Sequence, residues 1–176
     1  TGGTITGNKS DKGAIYSTGS IFVKKGAGAA DTEPAVTGNT MTDGQTPANI
    51  VLAGTDGKIV VSGALTSPQI GFSVENVAEN YVAVAKADDV SDSDFASALT
   101  ILASQYEGDK NYKVDSEGKL VSNRPTVQIT ATEWKSGAAT ATATISSDKA
   151  GTYCYAYVKK GAAAPSIENS TEGGHV

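Results

Sequence analysis

The densest group of residues that could do chemistry is an acidic segment in the middle of the chain. It holds the aspartates Asp88, Asp89, Asp92 and Asp94. Carboxylate oxygens are the ligands that Ca²⁺ prefers in proteins, so these four residues are candidate calcium ligands. Their spacing differs from that of an EF-hand loop, however, and the glycine that bends such a loop is absent.

The same segment has a second interpretation, as the start of a helix. Ser91 would be the N-cap and Asp94 would complete a shortened capping box, with the acidic groups near the positive end of the helix dipole. The apolar residues that follow recur on one helical face: Phe95, Leu99, Leu102 and Tyr106. We favour this interpretation, which predicts a helix over about 91–106, and calcium binding is the alternative.

Three residue types that often carry chemistry occur once each. We expect Trp134 to pack in a core, and a ring that stacks on a sugar is the alternative, which makes Trp134 a candidate ligand-binding residue. Cys154 alternates with tyrosines, so we expect a buried, unreactive thiol. His175 is next to the last residue, and we expect no catalytic triad or zinc site built on it. We predict no cofactor.

Composition favours a β-rich protein with thin cores. Apolar residues are 39% and aromatic residues 6% of the chain, and 20 residues are glycine. The net charge of −5 argues against nucleic acid as a partner. No run approaches the ~20 apolar residues of a transmembrane helix. The chain begins without Met, and we expect it to be part of a longer protein.

The elements that must position these residues are short strands separated by glycine turns. Apolar runs at 50–53, 59–61 and 70–72 predict three strands. Upstream, a Thr-Gly-Asn triplet at 6–8 recurs at 37–39, and each triplet leads through a polar segment to two apolar strands. Repeats of this length are typical of stacked arrays, because one thin unit must bury its apolar face against a neighbour.

The repeat resembles the Gly-Gly-x-Ile-x-Gly-Asn unit of bacterial surface right-handed β-helix proteins, which include adhesins and polymorphic outer-membrane repeats. The matching residues are GGTITGN at 2–8, GAIY at 13–16 and IFV at 21–23. Residues 49–71 and a hairpin at 112–121 resemble the last coil and the closing hairpin of such arrays. The segment 24–36 departs from the repeat.

The resemblance implies a right-handed parallel β-helix, of which the chain holds the last coils and a cap with one helix. Asn8 and Asn39 would stack as turn residues, because asparagine tolerates the left-handed backbone of a sharp corner. The helix predicted at 91–106 would cover the open end of the β-helix, where unpaired strand edges invite association.

From residue 126 the pattern changes to strict alternation, which predicts strands at 126–131, 139–145 and 151–158. SSDKAGTYCY at 146–155, with KGAAAP at 160–165, resembles the immunoglobulin-like and fibronectin type III-like modules of bacterial surface proteins. Because a full sandwich takes ~100 residues, we expect a partial antiparallel sandwich whose open edge self-associates. The polar SNRP segment at 122–125 predicts two domains, 1–122 and 123–176.

By resemblance, the fold is mainly β and the function is that of a non-catalytic structural or adhesive segment. The parent would be an extracellular protein, secreted or attached to the bacterial cell wall, with host or glycan ligands. A polysaccharide lyase or hydrolase is one alternative, and its carboxylates would come from five acidic residues in turn-like positions: Asp11, Asp31, Glu33, Asp43 and Asp56. A carbohydrate-binding module that uses Trp134 is another alternative.

Overall fold

The computed structural model of the protein describes residues 3–26, 32–131 and 143–150. The chain divides into two compact units, Thr1–Arg124 and Pro125–Val176. The boundary lies two residues after the one that the polar linker predicts. The protein is mainly β, with parallel and antiparallel sheets and one helix among the described residues.

The first unit builds its parallel sheets from eleven short strands laid down in chain order. They are β1 (Thr4–Ile5), β2 (Lys9–Ser10), β3 (Ile15–Ser17), β4 (Ser20–Val23), β5 (Ala35–Val36), β6 (Thr40–Met41), β7 (Ile50–Leu52), β8 (Lys58–Val61), β9 (Gln69–Ile70), β10 (Phe72–Val74) and β11 (Val84–Lys86).

The strands repeat in the same spatial order, so we describe them as three passes. The first pass is β1 to β4, the second is β5 to β8 and the third is β9 to β11. Corresponding strands pair in parallel as β1-β5-β9, β2-β6, β3-β7-β10 and β4-β8-β11. The third pass has no counterpart of β2 and β6 among its named strands, and this difference creates the candidate site described below.

Gly71 marks the point where the third pass takes its shorter route. The sequence predicts one strand at 70–72, but the structure has two, β9 and β10, which belong to different sheets. Gly71 alone separates them. The apolar run predicts burial correctly, and Ile70 and Phe72 are both fully buried. The apolar run at 70–72 spans a corner between two sheets. Ile70 and Phe72 both point into the core, although the chain turns between them at Gly71.

The core consists of columns of apolar side chains that the parallel register places in line. Ile15, Ile50 and Phe72 form one column across β3, β7 and β10. Ile21, Ile59 and Val84 form another across β4, β8 and β11. Such columns bury apolar surface between successive passes, and this burial stabilises the fold by roughly 25 cal/mol per Å² of surface removed from water. Each pass is thin and depends on its neighbour for a core.

The helix α1 (Asp92–Ser104) follows the third pass and packs on the end of this core. Ala98, Leu99 and Leu102 are buried, and they lie on one helical face. The helix begins after Ser91, as the sequence predicts, and ends two residues before the predicted limit. After the helix come β12 (Tyr112–Val114) and β13 (Leu120–Ser122), which pair antiparallel as the predicted closing hairpin.

The edge of the third pass is covered by segments that follow the helix rather than by the helix itself. The side-chain amide of Gln105 serves β9, because Oε1 accepts from the Ile70 N–H at 2.5 Å and Nε2 donates to the Pro68 carbonyl at 2.7 Å. Glu107 N–H donates to the Phe72 carbonyl of β10 at 2.7 Å. The Gly118 carbonyl accepts from the Val84 N–H of β11 at 3.0 Å.

The helix thus packs on the end of the core, as expected, while the hydrogen bonds of the strand edge go to other segments. The peptide groups inside a helix bond each other, so its body has no backbone groups to offer a strand edge. Extended backbone and a side-chain amide have free N–H and C=O groups, and these groups bond the strand edge of the third pass.

In the second unit, the described residues form one antiparallel pair. The strands are β14 (Val127–Ala131) and β15 (Ala143–Ser147). The first matches the predicted strand at 126–131. The second ends two residues after the predicted strand at 139–145, whose first four residues lie outside the described residues. The Asp148 carboxylate accepts from the Thr126 N–H at 2.8 Å and closes the open end of the pair. The strand predicted at 151–158 lies outside the described residues.

Helices long and apolar enough to cross a membrane are absent from the described part of the chain.

Replacing Gln105 by Leu tests the amide cover of β9. The Ile70 N–H and the Pro68 carbonyl would lose their partner, which costs about 1–3 kcal/mol for a buried polar group. We expect the free energy of unfolding, measured by urea titration, to fall by about that amount. The control is Gln45→Leu at an exposed turn position, where we expect a change within about 0.5 kcal/mol. Equal losses in the two variants would contradict the assignment.

Candidate functional site

The acidic segment forms a helix start. Ser91 Oγ accepts from the Asp94 N–H at 3.1 Å, which is the predicted N-cap, and it donates to the Asp94 carboxylate at 2.7 Å. The Asp94 carboxylate therefore bonds the Ser91 hydroxyl, whereas in a full capping box it would accept from the backbone N–H of Ser91. Asp92 pairs with Lys86 Nζ at 2.5 Å, and this hydrogen bond lowers the pKa of the Asp92 carboxyl group. Asp88 and Asp89 are exposed in the preceding turn.

The four aspartates do not come together as a metal site. Within residues 3–26, 32–131 and 143–150, no group of three or more His, Cys, Asp or Glu side chains is arranged to hold a metal ion. The two aspartates of the first helical turn have partners that already account for their positions. The geometry therefore supports the helix cap and gives no support to the calcium alternative.

The remaining single-copy candidates lie outside the described residues. Trp134 falls between β14 and β15, and Cys154 and His175 follow β15. The ligand-binding hypothesis for Trp134 stays a prediction.

The structure brings together a group of side chains that starts from the predicted asparagine stack. Asn8 Nδ2 donates to Asn39 Oδ1 at 2.9 Å, which confirms that these two residues stack. Asn39 Nδ2 donates in turn to Asn49 Oδ1 at 2.8 Å. Asn49 Nδ2 then donates to both carboxylate oxygens of Glu107, each at 2.9 Å. We call these four residues the amide ladder.

The amide ladder runs in one direction and ends on a charge. Each donating amide points toward Glu107, so the bond dipoles add and the carboxylate accepts at the end of the chain. Hydrogen bonds to a charged acceptor are about twice as strong as neutral ones, and aligned bonds polarise each other. Asn39 and Asn49 are 1% and 2% exposed, so bonding of their amides is needed to offset the cost of burial.

The ladder also satisfies backbone groups at the corner between sheets. Asn39 Oδ1 accepts from the Asn8 N–H, and Asn49 Oδ1 accepts from the Asn39 N–H, each at 3.0 Å. Asn39 Nδ2 reaches the Ile5 carbonyl at 2.9 Å. The buried Asn39 side chain therefore links Ile5 and Asn8 of the first pass to Asn49, which directly precedes β7 of the second pass.

The left-handed backbone of the corner belongs to glycine, which corrects the reason we gave for the asparagines. Gly7 and Gly38, directly before Asn8 and Asn39, have φ of 71° and 66°. Glycine adopts this conformation without steric cost, and the asparagine that follows is then free to supply its amide. In each Gly-Asn pair, glycine adopts the left-handed backbone of the corner and asparagine supplies the side-chain hydrogen bonds.

Glu107 and Gly71 meet at the place where the third pass omits the excursion through β2 and β6. A Cβ on Gly71 would clash with Glu107 Oε1 and would lie 2.5 Å from Asn49 Nδ2. Only glycine lets the carboxylate and the amide approach each other here. The shorter route of the chain thus leaves room for Glu107 at the end of the ladder.

A surface cleft of about 300 Å³ opens beside this carboxylate. Gly71 is among its lining residues, as is Tyr106, whose ring packs on Phe72 with centroids 5.6 Å apart. The cleft has a mixed lining, with hydroxyl, amide and carboxylate groups beside apolar surface: Thr37, Gln69, Ile70, Gly71, Ser104, Gln105, Tyr106 and Glu107. Burial raises the pKa of the Tyr106 phenol, and the Asp109 charge adds to the effect.

Other carboxylates bond within turns or between passes. Asp43 accepts from the Thr46 hydroxyl and from the Gln45 and Thr46 N–H groups, and these bonds lower the pKa of its carboxyl group. Glu33 accepts from the Thr66 hydroxyl at 2.6 Å. Glu75 accepts from the Tyr16 hydroxyl at 2.8 Å, and this bond raises the pKa of Tyr16.

Sequence reasoning found Asn8 and Asn39 and missed Asn49 and Glu107. A Gly-Asn pair marks the first two, whereas Asn49 follows Ala48 with no such signal. Glu107 lies 58 residues from Asn49. The one available hint was Gly71 between two apolar residues, which indicates a close approach without naming the partner.

Replacing Asn39 by Ala tests the ladder. Several buried groups on both sides would lose their partner, so we expect the free energy of unfolding to fall by about 3 kcal/mol. The matched control is Asn8→Ala at the exposed end of the ladder, for which we expect a loss of about 1 kcal/mol or less. Urea titration measures both, and similar losses would count against a buried network.

The calcium alternative has a direct test. Because the aspartates are not gathered, we expect the same thermal midpoint in millimolar CaCl₂, in MgCl₂ and in EDTA. A ligand that binds only the folded state would raise the midpoint by mass action. A rise specific to calcium, and lost in Asp88→Asn, would restore the metal hypothesis.

Three comparisons with known proteins give no relative: no protein-family model matches the chain, and neither a curated protein nor a solved structure matches it.

Proposed function

We propose that the first unit is the end of a right-handed parallel β-helix and that the protein is a non-catalytic structural and adhesive segment of an extracellular bacterial surface protein. The observation that carries the proposal is the stacking of parallel strands in register over three passes, completed at one end by Gln105, Glu107 and Gly118. This architecture forms a stiff body whose neighbouring passes support each other.

The amide ladder supports the same interpretation. The Asn8–Asn39 bond joins the first two passes at the corner, the Asn39–Asn49 bond braces the second pass, and the ladder ends on a fixed carboxylate. A stiff stack of this kind suits a stalk that presents ligands or binding faces at a distance from a cell. The sequence resemblance adds the expectation of host or glycan ligands.

The second unit would be a partial immunoglobulin-like sandwich that follows the stalk. The β14–β15 pair is antiparallel, as in such modules. Ile129 of β14 is 66% exposed and Val127 is 43% exposed, two residues apart on the same strand. An apolar strand face of this kind favours burial against a further layer. The association of the open edge with a second copy is proposed separately, because unpaired backbone groups at a strand edge can pair with another chain.

The alternative from another class is a polysaccharide lyase or hydrolase. It would need carboxylates placed as acid and base, or a bound calcium ion. Asp43, Glu33 and Glu75 form hydrogen bonds that fix turns or join passes. These bonds give each carboxylate a structural role, which favours the non-catalytic proposal.

The test incubates the full chain with arrays of glycans and host matrix proteins and scores both retention and released sugar. We expect retention on at least one ligand class without soluble products. Chain unfolded by heat serves as the control, because adhesion by a folded surface should be lost with the fold.

Release of reducing ends or unsaturated sugars would overturn the proposal in favour of the enzyme. Glu75→Gln and Glu107→Gln would then show which carboxylate is needed. Absence of both retention and products would reject adhesion for this segment and leave a purely structural role.

A further inference from the structure

The cleft beside Glu107 is the feature that the structural role leaves unused. Side chains could fill this corner if its only role were to complete the stack of strands. A cleft of about 300 Å³ is open there instead. Ligand pockets span roughly 300–1,000 Å³, so this cleft suits a ligand of about one ring.

The carboxylate in the cleft is held in place before any ligand arrives. Asn49 donates to both oxygens of Glu107 at 2.9 Å, and Gly71 allows the approach. An ionised carboxylate has about four acceptor positions, so acceptor capacity remains after the bonds from Asn49. A group fixed in this way loses little conformational entropy on binding.

The other residues that line the cleft are uncharged. Thr37 and Gln69 are exposed, and they line the same cleft as Tyr106. The described residues that line the cleft include one acidic and no basic side chain. The surroundings therefore disfavour an anionic ligand and favour a neutral one that donates hydroxyl groups.

The geometry points to a binding site for one neutral sugar ring, with Glu107 accepting hydroxyl hydrogen bonds, Gln69 bonding a further hydroxyl and Tyr106 offering an apolar ring. This inference rests on the proposed adhesive function and names the ligand class of one site. It involves binding alone, with no bond made or broken.

The experiment is an NMR titration of the ¹⁵N-labelled full chain with D-glucose, D-galactose, D-mannose and N-acetyl-D-glucosamine, each in turn. D-galacturonate is the anionic comparison. We expect at least one neutral sugar to shift the amide signals of Gly71, Gln105 and Glu107 in a saturable way. Galacturonate should shift them less, because its carboxylate would face that of Glu107.

Two variants remove groups from the cleft, and each has a matched control elsewhere. Glu107→Gln keeps an oxygen for Asn49 but loses the charge, and we expect a roughly tenfold weaker Kd. Gln69→Ala changes an exposed side chain and should weaken binding about threefold or more. The controls are Glu79→Gln and Gln45→Ala, both at exposed positions outside the cleft, and we expect wild-type Kd values for them.

The inference is overturned if no neutral sugar shifts the cleft signals to saturation, or if the cleft variants bind as the controls do. Glycan arrays separate this failure from that of the adhesive function. Equal retention of wild type and Gln69→Ala would reject the cleft and keep adhesion. Saturable sugar shifts without any retention would keep the cleft and reject adhesion.

Discussion

The structure depends on one constraint: the backbone N–H and C=O groups at the last rung of a stack of parallel strands must find partners. Within the stack, each pass satisfies the one before it. At the third pass there is no further strand, and an unpaired polar group that loses water costs about 1–3 kcal/mol. The chain meets this constraint with three different devices: a glutamine side chain for β9, a short extended segment for β10 and a hairpin turn for β11.

The same constraint explains why the polar ladder and the apolar core lie in one body. Thin passes leave the corner between sheets close to the core, and Asn39 and Asn49 of the corner are buried with it. Asparagine can accept from a backbone N–H and donate with its amide, which allows one residue type to serve both needs. The ladder ends on Glu107, because an ionised carboxylate only accepts hydrogen bonds and has no N–H or O–H group that would need another acceptor. The cleft beside that carboxylate is a consequence of how the ladder ends.

Much of the local structure could be predicted from short-range patterns. Most predicted strands of the first unit are present with shifts of a residue or two, because alternation and glycine punctuation report local burial and turns. The helix start was predictable since Ser91 and Asp94 bond each other within one turn. The strand at 70–72 was wrong because burial alone does not distinguish a straight run from a corner. The β-helix and the sandwich are proposals, which the parallel passes of the first unit and the antiparallel pair of the second unit support.

The sequence by itself determined where strands, turns and the helix cap form, and that Asn8 and Asn39 hold equivalent positions 31 residues apart. Those features depend on neighbours in the chain or on a repeat that can be counted. Only the tertiary structure decided that Asn49 meets Glu107, that Gln105 completes β9 and that a cleft opens at Gly71. Those contacts arise because the third pass takes a shorter route and the chain returns after the helix. No local periodicity encodes which distant group a returning segment will reach.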